Sequence, residues 1–315
     1  MAELDPTTVP RAGRVAIVGA PNVGKSTLLN ALLGQKLAIA TAKPQTTRHR
    51  ILGVYAESEP PTQIAFSDTP GLHRPHNALG RALVEEAQGA LAECDVALWL
   101  LESPDGRHPF QGQVLRGAAA EIHALLRGVS GLTVVVALNK VDRLKDKAAL
   151  LPYLDALQRE ANPAAIVPIS ALKNKGITQL LGELRRHLPE GVLYDDPEFL
   201  TDRTERFFAA ELVREAVIRH TRQEIPYAVA VLIESFEETG QLTRIEATIV
   251  VDKANHKKIV VGAGGQLLKT IGSEARREIE ALLSRKVHLG LFVKVVPGWT
   301  SDPASVRKLA MEGLA

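Results

Sequence analysis

The chain has 315 residues, which at roughly 100 to 200 residues per domain predicts two domains. Apolar residues make up 45% and charged residues 23%, which excludes a disordered or fibrous protein; a single cysteine, Cys94, excludes a disulfide framework and a thiolate zinc site. The formal charge of +2 is nearly balanced, yet Lys253, Lys257, Lys258, Lys269, Arg276, Arg277, Arg285, Lys286 and Lys294 lie among only Glu274, Glu278 and Glu280, so this stretch is locally basic.

The opening MAELDPTTVPRAGR is polar and acidic where an export signal is basic and then apolar, and with the lone cysteine it predicts a cytoplasmic protein. No apolar run approaches the roughly 18 residues that span a bilayer, so any membrane contact is expected to be peripheral. RVAIVGA reads as the first strand. GAPNVGKS, Gly19 to Ser26, follows as a phosphate-binding loop at the start of a helix from Ser26. Backbone N–H groups from Asn22 to Thr27, through Val23 and Gly24, can wrap an anionic phosphate, Lys25 can reach the β- and γ-phosphates, and the Ser26 hydroxyl can bind Mg²⁺. KPQTTRHR is a polar loop in which one of Thr46 and Thr47, by preference Thr47, closes over the metal. Arg48 and Arg50 in the same loop are either charge stabilisers or solvated arginines.

ILGVYAE and TQIAFSD are separated only by SEPP, too short for a crossover helix, so they are expected to pair as an antiparallel hairpin at a sheet edge. DTPG, Asp68 to Gly71, ends the second of them: Asp68 can hold Mg²⁺ through water, and the Gly71 N–H can sense a γ-phosphate. Leu72 comes next and cannot orient an attacking water, which predicts slow intrinsic hydrolysis. His73 and His76 lack metal-ligand spacing and read as loop residues. A helix through Glu86 is followed by CDVALWLL, with Cys94 a structural thiol at its head. TVVVAL then leads into NKVD. Asp142 can accept from guanine N1–H and the 2-amino group together, Lys140 can cover the base, and Asn139 can tie this loop to the first; adenine offers neither donor, so the pattern selects GTP over ATP. In AIVPISAL, the next strand, Ser170, Ala171 and Leu172 complete the set, with the Ala171 N–H facing guanine O6. Six apolar strands alternating with helical segments, apart from the hairpin at the edge, predict a largely parallel, mixed sheet covered on both faces.

After the helix ITQLLGELRRHL, PEGVLYDDPEFLTD breaks the rhythm and reads as a linker. The divisions expected are 1–190 for the nucleotide domain, 191–203 for the linker and 204–315 for a second domain with a C-terminal tail. The second domain reads as helix, two strands, a short helical turn ANHKKIVV, the loop GAGG, a long helix and a final strand. A GxxG loop between helices is the element that clamps single-stranded nucleic acid in KH domains. Gly262, Ala263, Gly264 and Gly265 would approach the RNA backbone, and since the loop itself carries no cation, Lys257, Lys258 and Lys269 would supply the phosphate contacts. Trp299, Phe292 and Tyr227 are expected in the core or at its rim, and Arg285 and Lys286 on a solvated face.

The spellings PNVGKS, QTTRHR and DTPGLH, with YDDPEFLTDRTERFFAAELVRE, resemble the Era family of bacterial ribosome-assembly GTPases over nearly the whole chain, from about Val15 to Trp299. That resemblance implies a P-loop GTPase domain with a six-stranded mixed sheet followed by an α+β type II KH domain. It implies GTP and GDP as ligands, Mg²⁺ held by Ser26, Thr47 and Asp68, and room for K⁺ near Asn22. Catalysis would rest on Lys25, Thr47, Asp68 and Gly71, with help from a partner, a backbone group or the monovalent cation. It also implies the 3′ end of 16S ribosomal RNA and the small ribosomal subunit as partners of a monomer. A peripheral position at the inner face of the cell membrane is a further implication, as is the alternative of a GTP-switched regulator whose second domain meets protein or membrane.

Overall fold

The computed structural model describes residues 9–311 except 42, 44, 45, 73–76, 106–109, 145, 147, 197 and 223. His73 and His76 therefore lie outside the described residues. The chain forms two compact units: residues 1–38, 49–73 and 83–202 in the first, and residues 39–48, 74–82 and 203–315 in the second.

In the first unit β1 (Arg11–Val18), β2 (Ile51–Ser58), β3 (Pro61–Asp68), β4 (Val96–Glu102), β5 (Thr133–Asn139) and β6 (Ala165–Pro168) form one sheet in the order β2-β3-β1-β4-β5-β6. Strand β2 runs antiparallel to β3 with Ser58 opposite Pro61, so the hairpin expected from the missing crossover is present at the edge, and every other pairing is parallel. Continuous Val, Ile, Leu and Ala runs suit strands buried on both faces. One face carries α2 (Ala78–Ala92), α3 (Ala118–Arg127) and α4 (Leu151–Ala161), whose Ala87, Leu91, Ile122, Leu126 and Leu157 pack on Ala97, Trp99 and Val136. Helix α1 (Lys25–Leu33) lies against β2 and β3, and α5 (Ile177–Arg186) packs beside β6. Gly53 of β2 is required there, because a Cβ would meet Leu33 Cδ1 at 2.5 Å. The strand β4 begins at Val96, so Cys94 stands in the preceding turn, half-buried, with its thiol toward the Leu91 carbonyl at 3.4 Å. Burial pushes the Cys94 pKa up, in keeping with an unreactive structural thiol.

In the second unit α6 (Glu205–His220), α7 (Ala254–Val261) and α8 (Gln266–Leu283) pack on the sheet β7 (Val229–Thr239), β8 (Leu242–Val251) and β9 (Lys286–Val295). Strands β7 and β8 are antiparallel, with a bulge between Ile233 and Ser235, and β8 and β9 are parallel. Thr204 caps α6 through a hydrogen bond from the Phe207 N–H at 3.2 Å. Trp299 is fully buried and donates its indole N–H to the Ala228 carbonyl at 3.2 Å. Phe292, expected in the core or its rim, is instead 61% exposed: it stands in the edge strand, where the apolar run VHLGLFVKVV conceals that alternate side chains face outward. Arg285 is not a simple solvated residue either, since it bridges Glu238 at 2.5 Å and also Glu205. Among the described residues no helix is long and apolar enough to cross a membrane.

Trp299→Ala is expected to cost about 3–5 kcal/mol, the ordinary price of emptying a buried indole site, as measured by denaturant unfolding. A loss below about 1 kcal/mol would mean that the site collapses around the missing ring.

Candidate functional site

The parallel strands of the first unit deliver their loops at the carboxyl ends, where a doubly covered sheet binds ligands. After β1, Asn22 (φ 63°) and Gly24 (φ 104°) turn the chain sharply into α1, whose first turn carries no side-chain cap. A helix N-terminus without a side-chain cap is a setting suited to an anion. Gly24 is fixed twice, by its positive φ and because a Cβ would meet Asn139 Nδ2 at 2.6 Å. Lys25 is buried, donating from Nζ to the carbonyls of Gly19 (3.2 Å) and Ala20 (3.1 Å). Burial depresses its pKa to about 8, an effect that the nearby Asp68 partly opposes.

Ser26 donates its hydroxyl to Asp68 Oδ2 at 2.8 Å, so the hydroxyl and the carboxylate expected at a divalent ion stand side by side. Two hard oxygen donors beside a phosphate loop fit Mg²⁺, which favours oxygen ligands and keeps several waters. Gly71 passes close to the loop, since a Cβ there would touch Pro21 at 3.1 Å. Leu72 N–H binds the Gly19 carbonyl at 3.2 Å, and its side chain is buried in the core.

Asn139 joins three loops. Its Nδ2 donates to the Val23 carbonyl at 2.8 Å, and its Oδ1 accepts from the Ala171 N–H at 3.0 Å. Ser170 donates to Asp142 Oδ1 at 2.5 Å, aligning an exposed carboxylate. Lys140, held at φ 67°, reaches the Asn22 carbonyl at 2.9 Å and Glu102 at 2.7 Å, so its stem is set across the loop. Glu102, which also pairs with Arg143 at 2.9 Å, escaped the sequence reading. Its signal was the same as that of Asp68: an acid at the last position of an apolar strand. Leu172 is exposed at the tip of the third loop.

Thr47 is grouped differently from Ser26 and Asp68: it lies in the segment 39–48 of the second unit, buried together with Thr46. Arg48 belongs to the same segment and is buried, donating to the carbonyls of Val229 (2.6 Å), Tyr227 (2.9 Å) and Pro226 (3.4 Å) with its guanidinium 5.7 Å from the Trp299 ring centre. It is not a solvated arginine. Arg50 pairs with Glu93 at 2.6 Å and Ser67 at 3.0 Å.

The second loop of interest joins α7 to α8. Gly262 (φ 73°), Gly264 (φ 56°) and Gly265 (φ 79°) all occupy backbone regions that favour glycine. Their reasons differ: a Cβ at Gly262 would meet Leu267 Cβ at 2.8 Å, whereas Gly264 and Gly265 have nothing within 4 Å. The first glycine closes the turn and the last two leave open space. Lys257, Lys258 and Lys269 are exposed on the flanking helices, as is Ala263 in the loop.

Asn139→Ala would leave the Val23 carbonyl and the Ala171 N–H without their partner at a buried position. It is expected to destabilise the ligand-free protein by about 1–3 kcal/mol in denaturant unfolding; no change would mean that the three loops hold without it.

A family described as 50S ribosome-binding GTPase matches residues 14–140, and one described as KH domain matches residues 224–300. GTPase Era of Xanthomonas axonopodis pv. citri is 43% identical over 309 residues, 97% of this chain and 99% of the relative. A crystal structure of Era in complex with MgGDPNP and nucleotides 1506–1542 of 16S ribosomal RNA matches with a TM-score of 0.89 at 39% identity, over 96% of this chain and 99% of that one. A variant of Aquifex aeolicus Era bound to GDP and AlF4⁻ matches with a TM-score of 0.88 at 39% identity and the same coverage. With its phosphate loop, guanine-type loops and glycine clamp in place, the chain belongs to the Era family of GTPases, a P-loop GTPase domain followed by a KH domain.

Proposed function

We propose that this protein binds GTP and GDP with Mg²⁺, hydrolyses GTP slowly, and grips the 3′ end of 16S ribosomal RNA in the course of small-subunit maturation. The observation that carries the reading is the convergence of the phosphate loop, NKVD and SAL on the one side chain of Asn139. Ser26 and Asp68 would hold the Mg²⁺, which supplies charge neutralisation at the β- and γ-phosphates. Lys25 would leave the Gly19 and Ala20 carbonyls for the phosphates. Asp142, oriented by Ser170, would read guanine, and Leu72, apolar and buried, leaves water orientation to the backbone or to a bound partner. The related Era solved with 16S nucleotides supports the choice of RNA, and Gly264 and Gly265 provide the open backbone such a strand needs.

The lysine offers a direct test. With a pKa near 8 in the free protein, Lys25 is mostly protonated at pH 7 and mostly neutral well above 8, whereas a bound triphosphate favours the ammonium. Nucleotide affinity should therefore weaken as pH rises above 8, and proton uptake on binding should grow from a small fraction at pH 7 to about half a proton near pH 8. Titration calorimetry in buffers of different ionisation enthalpy reads this; an uptake of zero across that range would sink the role assigned to Lys25.

For the clamp, Ala263→Asp with Gly264→Asp adds two acids in open space, at an exposed position and at one whose backbone region Asp tolerates. The variant should fold as the parent does yet bind a strand copying nucleotides 1506–1542 at least about tenfold more weakly, a difference of roughly 1.4 kcal/mol. Unchanged affinity would make GAGG a plain turn.

A further inference from the structure

Glu102 is the last residue of β4 and lies directly beside Asn139 in the sheet, the two being partners in the parallel register of β4 and β5. The next residue fixes this junction, since the Ser103 N–H binds the Asn139 carbonyl at 2.9 Å. From that anchored base the carboxylate divides its two oxygens: Oε2 accepts from Lys140 Nζ at 2.7 Å and Oε1 from Arg143 Nη1 at 2.9 Å. Lys140 and Arg143 bracket Val141 and Asp142, and the Arg143 N–H closes the turn on the Lys140 carbonyl at 3.0 Å. One carboxylate therefore grips both ends of the turn that carries Asp142.

The other supports of this turn act elsewhere on it. Asn139 fixes the residue before it, and Ser170 orients Asp142 Oδ1 from the side. Lys140 stands at φ 67°, a backbone region that is costly for a residue with a side chain and persists where the surroundings impose it. Its ammonium is tied to the Asn22 carbonyl at 2.9 Å and to Glu102, and the Arg143 guanidinium is tied to Glu102 as well. We propose that Glu102 is a positioning residue for base recognition, which through Lys140 and Arg143 holds the Asp142 carboxylate in register with both donors of guanine.

Glu102 and Arg143 are partly exposed, with side chains 37% and 47% accessible, and ion pairs of that kind add little to stability. The effect of Glu102 lies instead in where it holds the turn. A carboxylate that accepts from guanine N1–H and the 2-amino group together needs its plane aligned with the base edge, so a small displacement of the turn loses one bond before the other. Hypoxanthine keeps N1–H and lacks the 2-amino group, so it is less sensitive to that alignment. A carboxamide at position 102 has one accepting oxygen and an NH₂ in place of the other, so it can serve Lys140 or Arg143 and not both.

This inference rests on the proposed reading of guanine by Asp142, and the test separates the two. Titration calorimetry with Mg²⁺ gives the Kd of GDP and of inosine diphosphate for the parent, Glu102→Gln and Glu102→Ala. The parent is expected to prefer GDP by about tenfold or more, because inosine diphosphate leaves part of the Asp142 carboxylate without its donor. Glu102→Gln should reduce that preference by about threefold or more, and Glu102→Ala at least as far, with GDP affinity falling more than that of inosine diphosphate. A loss of folded protein or of cover over the base weakens both nucleotides together and cancels in the ratio, so the ratio isolates positioning. A preference that stays at the parent's value in both variants overturns the role of Glu102, whether or not the affinities fall. A parent that binds GDP no better than inosine diphosphate, or ADP as tightly as GDP, removes the guanine reading of Asp142 itself, and the role of Glu102 with it.

Discussion

The nucleotide site depends on one carboxamide. Asn139 lies at the end of a central strand and spends its donor on the phosphate loop and its acceptor on the third loop, so the phosphate-binding and base-reading elements are fixed by a single buried side chain. Gly24 is the counterpart of that choice, since only a residue without a Cβ lets the amide come as close as 2.6 Å to where a side chain would begin. The left-handed backbone of Asn22 and of Lys140 follows from the same demand for close approach. Such conformations are costly for residues with side chains and persist where the surroundings hold them, and these two residues are tied to each other through the Lys140 ammonium and the Asn22 carbonyl.

The second unit is organised around buried cations instead. Helix α6 buries every residue from Phe207 to Ile218, including Glu211, Arg214 and Glu215. A helix buried all round has to satisfy its charges within the fold. Arg214 and Glu211 do this as an ion pair at 2.6 Å, and Arg214 also reaches the Thr46 carbonyl. Arg48 does it with three main-chain carbonyls and an aromatic face, a setting suited to a delocalised guanidinium and unsuited to an ammonium. Removing one member of such a set leaves a buried charge without compensation, so the segment 39–48 is held by interactions that are expensive to break singly.

How far all of this was legible in the sequence follows the range of the forces involved. The phosphate loop, NKVD and SAL could be read because each motif is local and each follows an apolar strand. The edge hairpin could be read because four residues cannot carry a crossover. The seating of Arg48 could not: its acceptors are carbonyls about 180 positions away, and carbonyls leave no mark in a sequence. From QTTRHR alone an arginine on a polar loop looks solvated. The burial of the charges of α6 was not legible either, since ERFFAAELVREAVIRH shows apolar residues on every side and gives no polar face to assign. Phe292 went astray because an edge strand with a continuous apolar run conceals its alternation, and Glu102 because a strand-terminal acid has no motif of its own.

The two glycine loops use the same opening and differ in where they keep their charge. Helices α1 and α8 each begin after a left-handed glycine, Gly24 and Gly265, with no side-chain cap on the first turn. At α1 the cation is internal: Lys25 is buried and desolvated, and on the proposed reading it meets a single compact chain of phosphates. Its strength comes from being dry, since the same charge–charge attraction is several times larger away from water. At α8 the loop is neutral and the cations are outside it, exposed on Lys257, Lys258 and Lys269. Exposed charges are screened within about 10 Å at ordinary ionic strength, so on the proposed reading this loop would hold RNA more weakly per phosphate and in a salt-dependent way. On the proposed reading, a site for one nucleotide and a site for a flexible strand thus arise from the same backbone turn, separated by whether the lysines are inside or outside it.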